Sequence, residues 1–273
     1  MKIAFLHRTY VAYTVDTPYV SPLGGSESAI CYTAVELAKM GHEVSLLTST
    51  GEPGRYRNVE CLNYKTALTA DFLNRQDIIV VSNEACGREL RDKFQAKKPL
   101  VLWVQHADDQ PSIEDLQFTR ERKAWNGIAF VSQWQADQFY DYYWVPREKC
   151  RVMRNAISPV FEAQPVSVPW FEKGAPPVLV YTSMPYRGLD VLLDSFPSIR
   201  GAIPGTRLKV FSSMARVQVS AERDEYAELY RRCTSMEGVE YIGSVGQKAL
   251  AAELAEAAAL SYPSTFEIGR AHV

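Results

Sequence analysis

Glu267, close to the end of the printed chain, is the first residue whose position suggests chemistry. It follows an apolar run at 257–262 and the dipeptide Pro263-Ser264. Such a run is typical of a buried strand, and α/β domains bind ligands in the crevice beyond the carboxyl ends of their strands. Glu267 is therefore a candidate for contacting a substrate. An ordinary turn, with an acid favoured at the next helix N-terminus, explains the same residues equally well.

The glycine pair Gly24-Gly25 and Ser26 precede a helical pattern that runs to Gly41. Glycines let the backbone approach a ligand closely, and Ser26 can cap a helix whose N-terminus favours a phosphate. A simple glycine turn with an ordinary cap explains the same letters. The motifs G-x-G-x-x-G and G-x-x-x-x-G-K-[ST] do not occur, which argues against a standard nicotinamide site or P-loop.

His106 ends an apolar run at 100–105, so we expect it at the carboxyl edge of a sheet, facing a cleft. A histidine that merely completes a strand end is the alternative. Asp108 and Asp109 follow it, but two adjacent carboxylates without a third ligand are more typical of a solvated turn than of a metal site. No metal is expected.

Apolar, β-rich runs predict the elements that must position these residues. Strands are predicted at 3–6, 44–48, 78–82, 100–105, 128–132 and 151–153, and again at 178–182, 207–212, 239–242 and 258–262. Helices are predicted between them, in the second half at 189–199, 222–236 and 247–257. This alternation predicts an α/β fold with two tandem Rossmann-like, doubly wound parallel sheets, the second incomplete. We predict a domain at 1–163, a proline-rich linker at 164–177 and a partial domain at 178–267.

Composition bounds the class of protein. The 273 residues are 47% hydrophobic and 23% charged, which is typical of a globular chain long enough for two domains. A formal net charge of −2 provides no general attraction to nucleic acid or anionic lipid. Five widely spaced cysteines without a C-x-x-C pair indicate neither a disulfide framework nor a zinc site. With no run approaching the length of a membrane span, we expect a cytoplasmic protein, at most peripheral to the membrane.

The order of the motifs resembles that of the retaining glycosyltransferases of family 4, the GT-B group also called glycosyl transferases group 1. Residues 37–44 resemble the family's L-A-x-x-G-H-x-V, residues 130–134 its strand-serine element, and residues 155–157 its Asn-Gly-Ile. Residues 241–245 resemble the loop that meets the nucleotide base, and residues 263–267 the start of the E-x7-E donor motif. The resemblance covers nearly all of residues 1–267.

The resemblance implies roles for individual residues. Gly24 and Gly25 would approach the donor diphosphate or the acceptor, and His106 would face the sugar. Arg187 would neutralise the diphosphate leaving group, and Glu267 would bind hydroxyls of the donor sugar. The remaining donor-binding and phosphate-binding positions that it implies are Ser26, Gly188, Gly243, Val245 and Ser264. It implies no cofactor and no metal, because the nucleotide-sugar is itself a substrate.

The chain departs from the family pattern in two places. Arg187 stands where the family has lysine, and the arginine that the family carries before it is missing. The second glutamate of E-x7-E falls beyond residue 273, and residues 268–273 resemble the translation of a sequencing adapter. We expect these six residues to be an artefactual tail, the chain to be a fragment, and the fragment to be inactive.

The expected function is the transfer of a sugar, with retention, from a nucleotide-diphosphate donor to a glycan or lipid-linked acceptor, as in cell-envelope polysaccharide synthesis. Segments 10–23 and 108–125 are expected to shape the acceptor site. Two alternatives stay open. One is a sugar-nucleotide epimerase of the same architecture, and the other is a non-catalytic sugar-nucleotide or glycan binding module, which the missing arginine favours.

Overall fold

The computed structural model describes residues 1–165, 168–214 and 224–264, which form two compact units. The first unit holds residues 1–17 and 25–156, and the second holds residues 18–24 and the described residues from 157 onward. In the described ranges, none of the helices combines the length and the apolar character needed to cross a bilayer.

The elements up to residue 156 are, in chain order, β1 (Lys2–Leu6), α1 (Thr17–Val20), α2 (Gly25–Lys39), β2 (Glu43–Thr48), β3 (Gly54–Tyr56), β4 (Val59–Asn63), α3 (Tyr64–Ala67), α4 (Ala70–Asn74), β5 (Ile78–Ser82), α5 (Gly87–Asp92), β6 (Leu100–Val104), α6 (Thr119–Ala124), β7 (Gly127–Phe130), α7 (Gln133–Tyr143) and β8 (Cys150–Val152). Short 3-10 turns lie at Glu114–Gln117 and Arg147–Lys149.

The first sheet has the strand order β3-β4-β2-β1-β5-β6-β7-β8. Its strands are parallel except for β3, which runs antiparallel to β4 at the edge. The chain leaves β1 towards β2 on one side and later returns to β5 on the other, so the order reverses between β1 and β5. Nearly every residue of β1 and β2 is buried, which explains why these strands appear as continuous apolar runs in the sequence.

Strands β3 and β4 at this edge were not predicted, and β3 adds one antiparallel strand to the predicted parallel sheet. The two strands are joined by Arg57 and Asn58, with φ of 45° and 65°. Two consecutive positive φ values are characteristic of a tight hairpin turn that usually carries glycine. Since neither residue is glycine, the sequence gives no hairpin signal here.

The elements of the second unit are α8 (Pro159–Glu162), β9 (Val178–Tyr181), α9 (Leu189–Ala202), β10 (Arg207–Val210), α10 (Ala227–Ser235), β11 (Val239–Tyr241), α11 (Gln247–Glu256) and β12 (Ala259–Leu260), with a 3-10 turn at Trp170–Glu172. The strands form one parallel sheet in the order β11-β10-β9-β12. Helix α10 begins later than predicted, at Ala227, and residues 222 and 223 of that prediction lie outside the described residues. Strand β12 is shorter than predicted.

A core on one face of the second sheet holds α9 and α10 against the strands. Leu189, Leu193 and Phe196 of α9 are fully buried there with Leu208 and Val210 of β10. By contrast, Leu260 of β12 remains 57% exposed at the edge. The strand that ends at the candidate site is therefore held mainly by its pairing with β9.

Candidate functional site

The order of the second sheet reverses between β9 and β12, because β10 and β11 lie on one side of β9 and β12 on the other. Such a switch point opens a crevice beyond the carboxyl ends of the two strands, where doubly wound sheets bind ligands. The segment after β9 supplies Arg187 and Gly188, and the segment after β12 supplies Tyr262 and Ser264. The structure thus brings together three predicted residues, Arg187, Gly188 and Ser264.

Gly188 joins the two segments closely. It is the N-cap of α9 with φ of 83°, and a Cβ added there would overlap the carbonyl oxygen of Pro263 and lie 3.2 Å from the backbone nitrogen of Ser264. Both the backbone conformation and the close approach therefore require glycine. This contact fixes the start of α9 against the segment that follows β12.

Arg187 is half-buried beside this contact, and its Nη1 donates a hydrogen bond to Tyr262 Oη at 3.0 Å. Its Nε is buried without a hydrogen-bond partner, and within the described residues no carboxylate lies at ion-pair distance from the guanidinium. Burial acts to lower the pKa of Arg187, but its interactions with Tyr262 and Tyr186 outweigh burial and raise it. The side chain stays charged, and none of the residues that the structure describes provides its counter-ion.

The loop that carries Arg187 is held by Tyr181, the last residue of β9. The Tyr181 hydroxyl donates to the carbonyl oxygen of Met184 at 2.6 Å, and the side chain is fully buried. Burial raises the pKa of Tyr181, so the phenol keeps the proton that it donates. The carbonyl oxygen of Met184 also accepts a hydrogen bond from the backbone N–H of Arg187 at 3.0 Å, so the buried phenol and the Arg187 backbone share one acceptor.

Helix α9 begins directly after Arg187-Gly188 and is 14 residues long. No side chain caps its N-terminus, although the exposed Asp190 lies in the first turn. The backbone N–H groups of a first turn are unsatisfied within the helix, and the helix dipole favours an anion near them. A half-buried cation that no carboxylate of residues 1–165, 168–214 or 224–264 neutralises lies beside a helix N-terminus, and together they suit an anionic ligand.

Gly243 and Val245 follow β11 at the same carboxyl edge of the second sheet. Gly243 is buried with φ of 78°, and its N–H points to the carbonyl oxygen of Val210 at 3.3 Å. Strand β10 lies between β11 and β9, so these residues line the far side of the edge from Arg187. Ser212, just beyond β10, has a buried hydroxyl without a partner between the two groups of loops.

Glu267, the first candidate from the sequence, lies outside the described residues, as do residues 265–273 as a whole. In the described part of the chain, no group of three or more histidine, cysteine, aspartate or glutamate side chains could hold a metal ion. All five cysteines are free thiols.

Helix α2 of the first unit begins at Gly25. The expectation that Ser26 caps this helix is therefore wrong, because Ser26 is its second residue and is only 3% exposed. Gly24 occupies the preceding position. The helix still starts in the loop after β1, so its N-terminus lies at the carboxyl edge of the first sheet.

His106 lies two residues beyond β6 and is half-buried. Its Nδ1 is 3.1 Å from Ser112 Oγ, and its carbonyl oxygen accepts a hydrogen bond from Gln135 Nε2 at 2.7 Å. The backbone N–H of the preceding residue, Gln105, donates to Asn83 Oδ1 at 2.6 Å. These bonds hold the histidine backbone from two neighbouring elements.

Sequence reasoning missed an ion-pair cluster at the switch point of the first sheet. Arg8 follows β1, and its Nε and Nη2 each donate to the Glu84 carboxylate at 2.7 Å, while Nη1 donates to Glu89 at 2.8 Å. These residues line a cleft of 320 Å³ that also includes Ser112, the partner of His106. The sequence does place two oppositely charged residues, Arg8 and Glu84, directly after two apolar runs. This pattern predicts an ion pair only if β1 and β5 are known to be neighbours in the sheet.

Comparisons with known proteins rest on structure alone. No family model and no curated protein matches this chain. Solved structures match over almost the whole chain. A glycosyltransferase from Rickettsia africae has a TM-score of 0.67 at 14% identity, covering 98% of this chain and 74% of that chain. Anabaena HepE, solved with UDP and glucose, has a TM-score of 0.66 at 16% identity, covering 98% and 76%. Sucrose-phosphate synthase from Thermosynechococcus elongatus has 0.62 at 13% identity, covering 98% and 76%.

The fold is GT-B. The predicted fold class, α/β with Rossmann-like sheets, is confirmed by these neighbours and by the strand orders of the two units. At identities of 13–16% the likeness concerns the fold and not the substrates. Of the predicted site residues, Arg187 and its neighbours have the arrangement that best suits one kind of ligand, an anion.

Proposed function

We propose that this GT-B chain belongs to a retaining glycosyltransferase that moves a sugar from a nucleotide-diphosphate donor to a glycan or lipid-linked acceptor. The observation that carries the proposal is Arg187 at the switch point of the second sheet, a half-buried cation that pairs with no carboxylate in the described part of the chain. It lies next to the N-terminus of α9, a second group suited to phosphate oxygens. The UDP and glucose named for the Anabaena structure support a donor of this class.

The physical demand of the reaction agrees with this site. When the bond between the sugar and the diphosphate breaks, negative charge develops on a phosphate oxygen. A fixed cation and a helix N-terminus stabilise that charge without a metal ion. Losing one charged donor aimed at the oxygen costs ~3 kcal/mol of barrier, which corresponds to about a hundredfold in rate.

The other residues receive roles by position. Gly243 and Val245 would meet the nucleotide base, while Ser264 and Glu267 would bind the diphosphate and the donor sugar. His106 would face the transferred sugar, and Gly24, Gly25 and Ser26 would lie near the diphosphate or the acceptor. Departure of the diphosphate and attack by the acceptor would occur on one face of the sugar, so that configuration is retained. We place the reaction in the cytoplasm, at most peripheral to a membrane.

The test is a calorimetric titration of the chain with UDP, GDP and ADP. We expect at least one to bind, and Arg187→Ala to weaken that binding at least tenfold because it removes the charge facing the phosphates. Arg231→Ala is the matched control, because Arg231 lies on α10 of the same unit and its side chain is 73% exposed. If no nucleoside diphosphate binds, or if both variants bind like the wild type, the proposal is wrong.

A non-catalytic nucleotide-sugar binding module is the second candidate, and one observation favours it. Arg187 is the only basic side chain in the described segments 182–188 and 261–264, whereas the family resembled carries two cations. Such a module would bind the donor without cleaving it. Release of nucleoside diphosphate from UDP-, GDP- or ADP-sugars in the presence of mixed acceptors would exclude this candidate.

A further inference from the structure

Tyr262 is the partner of Arg187 that neither the family motif nor the sequence analysis singles out. It follows β12, whereas Arg187 follows β9, so their contact joins the two loops that flank the switch point. The guanidinium has only donors, and the Tyr262 oxygen must therefore accept the 3.0 Å hydrogen bond. The hydroxyl hydrogen of Tyr262 remains available to donate elsewhere.

The surroundings of Arg187 and Tyr262 suit an anionic ligand. Arg187 is half-buried, its Nε is buried without a partner, and no ion pair reaches it from the described residues. A partly buried charge that no described carboxylate neutralises is unfavourable, and an anionic ligand would stabilise it. Tyr262 is 40% exposed, which leaves its hydroxyl accessible to such a ligand.

The pair also has a fixed place relative to a second anion-binding element. Gly188, next to Arg187, is in van der Waals contact range of the Pro263 backbone, next to Tyr262. Because Gly188 is the N-cap of α9, the start of that helix lies beside both side chains. The close backbone approach of Gly188 to Pro263 holds the two loops together, and the hydrogen bond between Arg187 and Tyr262 joins their side chains.

We propose that Tyr262 donates its hydroxyl hydrogen to a phosphate oxygen of the nucleotide donor while accepting a hydrogen bond from Arg187. The family that the chain resembles has two cations at this site. Here Tyr262, a neutral hydrogen-bond donor, would replace part of the stabilisation that the second cation gives to the diphosphate. The inference rests on the proposed function and adds a catalytic residue to it. As the bond between sugar and diphosphate breaks, its electron pair passes to the phosphate oxygen. The hydrogen bond from Tyr262 strengthens as that charge grows, and Tyr262 keeps its proton.

The test compares Tyr262→Phe, Arg187→Ala and the double variant, each titrated with UDP, GDP or ADP and with the matching nucleoside. Removing one hydrogen bond to a charged oxygen is expected to weaken diphosphate binding about tenfold and to leave nucleoside binding unchanged. In the double variant the loss should be smaller than the product of the single losses, because Arg187 orients Tyr262. Tyr142→Phe, the same change at an exposed tyrosine of α7, should bind like the wild type.

The outcomes separate this inference from the proposed function. Unchanged diphosphate affinity in Tyr262→Phe, with binding by the wild type intact, overturns the role of Tyr262 alone. Equal loss of diphosphate and nucleoside binding also overturns it, since a general disturbance of the site would then explain the effect. Absence of diphosphate binding by the wild-type chain overturns the proposed function, and the role of Tyr262 with it.

Discussion

Arg8 and Arg187 show how the surroundings of a residue decide its role. Both follow the first strand of a doubly wound sheet and are partly buried. Arg8 makes three charged hydrogen bonds to Glu84 and Glu89, whereas Arg187 has a tyrosine hydroxyl and no carboxylate among the described residues. A neutralised arginine holds loops together, and an unneutralised one remains available to a ligand. This difference supports a stabilising role for Arg8 and the proposed binding role for Arg187.

The ion pairs of Arg8 with Glu84 and Glu89, which we call the Arg8 cluster, should make the stability of the fold depend on pH. Burial acts to raise the pKa of Glu89, but the hydrogen bond and charge of Arg8, together with Lys93, lower it overall. A carboxyl whose pKa is lower in the folded state stabilises the fold above its unfolded pKa, and this contribution is lost as pH falls through the folded pKa. Chemical denaturation should show the unfolding free energy falling between about pH 5 and pH 3, less steeply in Glu89→Gln.

Glu36→Gln is the control for this measurement, because Glu36 is exposed and forms an ion pair with its helix neighbour Lys39. It should keep the wild-type dependence on pH. Identical pH profiles for Glu89→Gln and the wild type would show that the Arg8 cluster contributes nothing in this range.

Helix α9 offers a paired test of how an element depends on single glycines. Gly188 is the N-cap of the helix, has a positive φ and meets the Pro263 backbone, whereas Gly201 lies near the other end with nothing within 4 Å of an added Cβ. Gly188→Ala should destabilise the protein by ~2 kcal/mol or more, because strain and overlap act together. Gly201→Ala should stabilise it by a few tenths to about 1 kcal/mol, since alanine favours a helix.

Thermal or urea unfolding of the two variants checks this prediction. The opposite signs are the informative result, because both changes add the same methyl group to the same helix. A Gly188→Ala variant as stable as the wild type would mean that α9 is not fixed against the segment after β12.

Individual elements were predictable where they are apolar and regular. Strands β1, β2, β5 and β6 are buried in a parallel sheet, and their continuous apolar runs indicate them within one residue at most ends. The hairpin of β3 and β4 was missed because its turn uses Arg57 and Asn58 instead of glycine. The cap of α2 was misassigned because Gly25 already belongs to the helix.

The whole sheet, and not any single segment, assembles the candidate site. Arg187 and Tyr262 are 75 positions apart in sequence, and only the order β9-β12 makes their loops neighbours. The family resemblance predicted Arg187, Gly188 and Ser264 as site residues. It did not predict Tyr262 or the Arg8 cluster, because the motifs compared do not include them. Strand order is a property of tertiary packing, so contacts that depend on it are not visible in one sequence.

The most direct test of the donor-site assignment is to map nucleoside diphosphate binding on the chain by amide chemical shifts in NMR. UDP, GDP and ADP would be added in turn to the labelled protein. We expect changes at Gly188, Gly243 and Ser264, which follow the carboxyl ends of three strands, and none at Val178 or Arg207, which begin two of them. If the changes were confined to the amino ends of these strands, or if none of the three nucleotides caused any, the donor site would not lie at this edge of the sheet.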